Sequence, residues 1–245
     1  MHRRLTTLLA ILFVLPSMSQ TSTDSIAPGT GVKAGELIMP LSLIGAGTLG
    51  FVEPVKNARY EVRDYLNEWR GDHRVTLDDH LQYIPLASVY GLSLLGIEAK
   101  HNYVDRTLEL GISCVALGTI VGGLKYTIRE ERPDGSDLRS FPSGHTAKAF
   151  MGAELVRIEY GDLSPWISVG AYTAAIAVGA LRIYNEQHWF TDVLAGAGIG
   201  ILSARIGYWM LPYTRKVMHK ITGYDSFVYP TVTPEGATLG FAMRF

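Results

Sequence analysis

The sequence is poor in three things. It has one cysteine, Cys114, which excludes an internal disulfide framework and any metal cage built on cysteine sulfur. It has no surplus of either charge, because 22 lysines and arginines stand against 23 acidic residues, a net charge of −1. Nucleic-acid binders usually carry a basic excess, so nucleic acid is excluded as an expected partner. Its uncharged runs are also short, several of them below the ~20 residues that a membrane span wants. What it has in quantity is apolar residues, 47% of the chain, and glycine, 26 of 245 residues. The first excludes disorder. The second leans towards lipid, since glycine is commoner in membrane helices than in soluble ones. The mean hydropathy of +0.14 lies between an ordinary soluble enzyme and a polytopic membrane protein.

Residues 1–19 read as a secretory signal or an uncut N-terminal anchor. His2, Arg3 and Arg4 form a basic start, residues 5–15 are apolar, and Ser17, Met18 and Ser19 resemble a cleavage site. Either form implies export or membrane insertion, where a free Cys114 is tolerable if buried. Residues 20–35 are polar and read as a linker, 36–222 as one helical domain, and 223–245 as a tail. Six apolar segments follow the linker, at 37–52, 81–97, 110–124, 146–156, 163–181 and 193–204. Their length and their glycine and alanine content favour helices over strands. Gly45, Gly47 and Gly50, Gly118 and Gly122, and Gly196, Gly198 and Gly200 are expected at close helix–helix contacts. The charged stretch 53–80, with Tyr60, Tyr65 and Trp69 at roughly helical spacing, reads as an amphipathic helix. In the tail, 227–232 and 237–245 alternate around Pro234-Glu235-Gly236, the pattern of a β-hairpin.

Three clusters carry chemistry. In the first, Lys125 and Arg132 are seven residues apart, nearly the same face of a helix, ahead of Pro133. Two such cations make an anion clamp. In the second, Pro142, Ser143, Gly144 and His145 form a turn ahead of a helix. Ser143 suits the N-cap, Gly144 lets backbone approach a ligand, and His145 sits at the rim as a proton donor or acceptor. The free N–H groups of such a helix start suit an oxyanion. In the third, His188 and Asp192 are four residues apart, so a carboxylate can orient the imidazole and raise its basicity. Arg182 adds a planar guanidinium. Two histidines, three cations, a carboxylate and a helix N-terminus are what phosphoryl transfer needs without a metal.

The ordered pattern K-x6-RP, PSGH, R-x5-H-x3-D, found at Lys125/Arg132-Pro133, Pro142–His145 and Arg182/His188/Asp192, resembles the type 2 phosphatidic acid phosphatase (PAP2) family over about residues 80–210. The resemblance implies an all-α fold, a six-helix bundle embedded in the membrane, with the β-hairpin as an appendage. It implies no cofactor and no metal. It gives Lys125, Arg132, Ser143, Gly144 and Arg182 the role of holding phosphate, His188 that of forming a phosphohistidine, Asp192 that of orienting it, and His145 that of general acid. The family usually has serine before the third-motif arginine; here Leu181 stands there.

The stretch from His188 to Gly196 resembles the membrane branch of the family, which implies a phosphorylated envelope lipid as partner: lipid A, phosphatidylglycerol phosphate, phosphatidate or undecaprenyl pyrophosphate. The alternatives are a soluble periplasmic acid phosphatase of broad use and a non-catalytic lipid carrier. The expected location is the inner membrane of a Gram-negative-like envelope. With the site cations discounted, Lys56, Arg59, Arg63, Arg70 and Arg74 put the first loop inside and the catalytic end outside, facing the periplasm.

Overall fold

The computed structural model describes residues 32–71, 73–222, 225–233 and 236–244. The signal or anchor expected at 1–19 and most of the linker lie outside them. Eight α-helices occur among the described residues: α1 (Ala34–Thr48), α2 (Glu53–Arg70), α3 (Asp78–Leu81), α4 (Ile84–Leu94), α5 (Tyr103–Ile128), α6 (Gly144–Tyr160), α7 (Pro165–Tyr184) and α8 (Phe190–Thr222). The expected count of six is therefore corrected to eight. The six apolar segments became α1 and α4 to α8. The other two helices come from the charged stretch, which is not one helix: it breaks at Gly71, whose φ of 59° lies in the region that favours glycine. Residues 225–233 and 236–244 run antiparallel, with Asp225 opposite Arg244 and Thr233 opposite Gly236.

Local chemistry sets several boundaries. Pro85 and Pro165 sit in the first turns of α4 and α7, where a missing N–H costs no hydrogen bond. Asn102 caps α5 by accepting from the Asp105 N–H at 3.0 Å. At its other end α5 stops when Arg129 turns left-handed, at φ 52°.

α6 is the axis of the bundle and is buried along nearly its whole length. Its buried Glu154 is neutralised in place: it accepts from Arg157 at 2.7 Å and forms an ion pair with Arg205 at 2.5 Å. The surrounding helices are apolar and show that surface outward. The stretches Ala34–Phe51, Tyr103–Ile128, Pro165–Tyr184 and Phe190–Met218 are each long and apolar enough to cross a membrane. In α5 only 11% of the most apolar stretch is buried within the protein. Val115 and Trp166 are 70% and 77% exposed. Contiguous apolar surface of this kind is unfavourable in water and favourable in lipid. The run at 110–124 read as too short to span because charges flank it. In the fold those at its start, Asp105, Arg106 and Glu109, turn into the protein and are buried, so the whole 26-residue helix is available. Cys114, expected to be buried, is exposed on this outer face.

The glycines divide into two groups. A Cβ on Gly200 would collide with the Ala147 carbonyl, and one on Gly196 would lie 2.5 Å from the Ser143 carbonyl, so α8 approaches α6 backbone to backbone. Gly47 and Gly198 bring α1 and α8 together in the same way. Gly45, Gly118 and Gly122 have nothing within 4 Å of such a Cβ, so the close contacts expected of them are not made. Gly200→Val is expected to destabilise the protein by about 1–3 kcal/mol or more, through overpacking against immovable backbone. Gly118→Ala is expected to be neutral or to stabilise by up to ~1 kcal/mol. Thermal unfolding of both variants in detergent micelles checks this; equal midpoints would refute the packing account.

Candidate active site

Four pieces of chain meet at one end of the bundle: the last turn of α5 with the loop 129–143 after it, the first turn of α6, the last turn of α7 with the turn after it, and the first turn of α8. All eight residues expected from the sequence lie here. The Ser143 N–H donates to the Asp192 carbonyl at 3.1 Å, joining the second cluster to the third. Gln187 joins the first to the third, because its Oε1 accepts from Arg132 at 2.5 Å and from Arg182 at 3.5 Å. Lys125 Nζ donates to the carbonyls of Arg139 and Ser140.

Several local expectations change. Lys125 and Arg132 do not share a helix face, because α5 ends at Ile128 ahead of Pro133. Arg132 is placed instead by a tight loop, in which its Nε donates to Asp137 Oδ1 at 2.8 Å and its N–H to the Asp137 carbonyl at 3.0 Å. Ser143 does occupy the N-cap of α6, but its hydroxyl bonds Thr146 Oγ1 at 2.8 Å and makes no cap to backbone. The first-turn N–H groups of α6 are thus left without that side-chain acceptor. Nothing in the packing demands glycine at 144: an added Cβ would meet only Val121, at 3.9 Å.

His188 lies two residues before α8 and is buried. Its Nδ1 is 3.7 Å from Asp192 Oδ2, which is longer than a hydrogen bond. That oxygen accepts instead from the Ser140 hydroxyl at 2.5 Å and the Trp189 N–H at 2.9 Å. Asp192 therefore anchors the start of its own helix, where a carboxylate is favoured. Burial, then the charges of Lys125, Arg182 and Arg132, hold the His188 imidazole well below the usual histidine range. His145 is half-buried, with Nε2 3.1 Å from Asp79 Oδ1. Burial and Arg182 push it down to about 4, and the Asp79 carboxylate works in the other direction. Arg182 is bonded to Asp78 Oδ2 at 2.6 Å.

The residues around these were not read from the sequence. Asp78 and Asp79 were counted as part of an amphipathic helix. Glu130 lies inside the K-x6-R spacing of the first cluster. It accepts from Arg59 at 2.5 Å, and Arg59 also donates to the Gly50 carbonyl at 2.9 Å while stacking 4.5 Å from the Trp189 ring. Burial and the neighbouring Asp192 carboxylate push Glu130 up to about 7, against the pull of Arg59. Among the described residues, Glu130 Oε2 and Asp192 Oδ1 are buried and lack a donor. A proton on Glu130 would satisfy both oxygens.

α2 packs over this end too, with Arg70 bonded to Glu186 at 2.7 Å. The first loop therefore shares the catalytic end, which corrects the expectation that the two lie on opposite sides. Arg59 and Arg70 are buried and paired, so they answer to the site and do not mark a membrane side.

The sequence that builds this end of the bundle is similar to known proteins. The sequence profile of the PAP2 superfamily covers residues 106–216. Lipid A 1-phosphatase of Porphyromonas gingivalis is 33% identical over 238 residues, which covers 89% of this chain and 52% of that protein. This chain thus spans about half the length of that relative. Bacitracin transport permease protein BcrC of Bacillus licheniformis is 33% identical over 86 residues, 35% of this chain and 40% of that one. Among solved structures, LpxE of Aquifex aeolicus has a TM-score of 0.45 at 24% identity, over 59% of this chain and 92% of that one. The PAP2-type phosphatidylglycerolphosphate phosphatase of Bacillus subtilis has a TM-score of 0.43 at 18% identity, over 74% and 97%. The profile lies over all eight site residues and over helices α6 and α7 entire, so the part of the chain that builds the site, residues 106–216, matches the PAP2 superfamily.

Proposed function

We propose that this protein is an integral membrane phosphatase that hydrolyses a phosphomonoester of lipid A through a phosphohistidine at His188. One observation carries the reading: a buried imidazole lies within the fields of three cations that come from two separate stretches of chain. Such an imidazole is neutral at physiological pH, so it keeps the lone pair a nucleophile needs. With its proton on Nδ1, on the side of Asp192, Nε2 is free to attack.

Lys125, Arg132 and Arg182 exchange their present protein partners for the phosphate oxygens, and the N–H groups at the start of α6 add donors. His188 Nε2 forms a bond to phosphorus as the P–O bond to the lipid breaks. His145 gives its proton to the departing oxygen. Water then attacks the phosphohistidine, His145 takes a proton from it, and inorganic phosphate leaves as His188 is restored. No step uses a metal. The substrate's own negative charge and Asp79 both favour the protonated His145 that the first step requires.

Lipid A is the lipid favoured by the relative that aligns along most of this chain. A cavity of about 400 Å³ beside Arg132 supports a bulky headgroup: Lys56, Arg59 and Arg63 supply charge, and Tyr60 and Trp189 supply aromatic faces. Such walls suit a phosphorylated sugar. The outward apolar surface of α5 and α7 supports the membrane over the soluble periplasmic alternative. α1 runs towards the site, so a site facing the periplasm sets Ala34 at the cytoplasmic side.

His188→Ala is expected to abolish phosphate release from lipid A while the protein stays folded, and His145→Ala to slow it about 10²–10⁴-fold. Phosphate release by purified variants, with EDTA present and absent, checks this. Turnover by His188→Ala, or loss of wild-type turnover in EDTA, contradicts it. Asp79→Asn removes a charge that favours protonated His145, so the alkaline fall in kcat/KM is expected to move to lower pH. A profile that stays in place or moves upward would dissociate Asp79 from the general acid.

A further inference from the structure

At the other end of the bundle a second cluster of ionisable groups has no part in the reaction above. His101 precedes α5, Glu109 projects from α5, and Glu159 lies near the end of α6. Glu159 stands 15 residues from Gly144, about 22 Å along the helix at a rise of ~1.5 Å per residue. One ligand atom from each residue lies within 4.8 Å of the other two. Both carboxylates are buried, Glu109 at 1% and Glu159 at 3% exposure.

The Glu159 carboxylate is already oriented. Its Oε2 accepts from the His101 backbone N–H at 2.9 Å, and its Oε1 faces His101 Nδ1 at 2.7 Å. Glu109 points into the same space, and apart from its contact with the Glu159 carboxyl group neither of its carboxylate oxygens has a hydrogen-bond partner among the described residues. No lysine or arginine pairs with Glu109 or Glu159 among those residues. Two carboxylates are thus enclosed beside one imidazole, which supplies at most one positive charge. Buried charge without compensation costs several kcal/mol per ion. A divalent cation with a neutral imidazole balances both carboxylates and gives the Glu109 oxygens a partner.

We propose that His101, Glu109 and Glu159 bind a structural Zn²⁺ ion that ties α5 to α6 at the end of the bundle away from the active site. One imidazole nitrogen with two carboxylate oxygens suits zinc better than magnesium or calcium, which take oxygen ligands alone. Bonds of ~2.0–2.2 Å in tetrahedral geometry, with water as the fourth ligand, put ligand atoms roughly 3.3 Å apart. Zinc here stabilises the bundle and leaves the reaction alone.

The test uses the full chain in detergent micelles at neutral pH, stripped with EDTA and then titrated with ZnCl2. About one Zn²⁺ per chain, a rise of several degrees in the unfolding midpoint, and unchanged turnover are expected. The rise should vanish in Glu109→Gln and persist in Cys114→Ser. Absence of a midpoint rise in the wild type, or a rise that survives Glu109→Gln, overturns the proposal. Zinc K-edge absorption on wild-type protein gives a readout that does not depend on how the variants fold. One imidazole with oxygen neighbours supports the site, and sulfur or several imidazoles refute it. Failure of phosphate release would count against the proposed function and would leave this site standing.

Discussion

The backbone approach of α6 to α8 is the constraint on which the rest of the structure depends. Gly196 and Gly200 remove the side chains that would separate the two helices, and the Ser143 carbonyl comes to rest on α8. At the same point the Ser143 N–H reaches the Asp192 carbonyl. The turn that carries His145 and the turn that carries His188 are held together by backbone, not by long side chains. Positioning of this kind costs little entropy when substrate binds, and it suits a reaction whose catalysis is mostly placement and charge.

Around that axis the molecule resolves a conflict between lipid and charge. The helices that face outward are apolar, and the cations and carboxylates gather at the two ends or inside. At the catalytic end three arginines are paired with acids: Arg132 with Asp137, Arg182 with Asp78, Arg59 with Glu130. The partners keep the positive charges tolerable and aimed until phosphate oxygens replace some of them. The buried Glu130–Asp192 contact extends this arrangement behind His188, with Arg59 and the Trp189 ring as its outer wall.

Much of this was legible in the sequence because the site residues fall in three short, ordered clusters. Local spacing identifies them whatever the path between. What the sequence hid is long-range or depends on orientation. Arg59 and Glu130 are 71 positions apart, and nothing in either neighbourhood announces the other. Asp78 and Asp79 look like ordinary surface acids until the fold lays them against Arg182 and His145. The helix period placed Lys125 and Arg132 on one face, but the helix ends between them and a loop takes over. Glycine spacing alone could not separate Gly200, which is packed against backbone, from Gly118, which faces open space. Apolar length was underread in α5, because the charges at its start turn inward and do not shorten the helix.

The central claim is that His188 takes the phosphoryl group. Rapid quenching of a single turnover on lipid A, followed by peptide mapping under alkaline conditions that preserve phosphohistidine, tests it most directly. The account predicts an acid-labile phosphoryl group on the peptide that contains His188, appearing before inorganic phosphate and absent in His188→Ala. Phosphate release with no labelled enzyme, or an acid-stable phosphoryl group on Ser143, would contradict it.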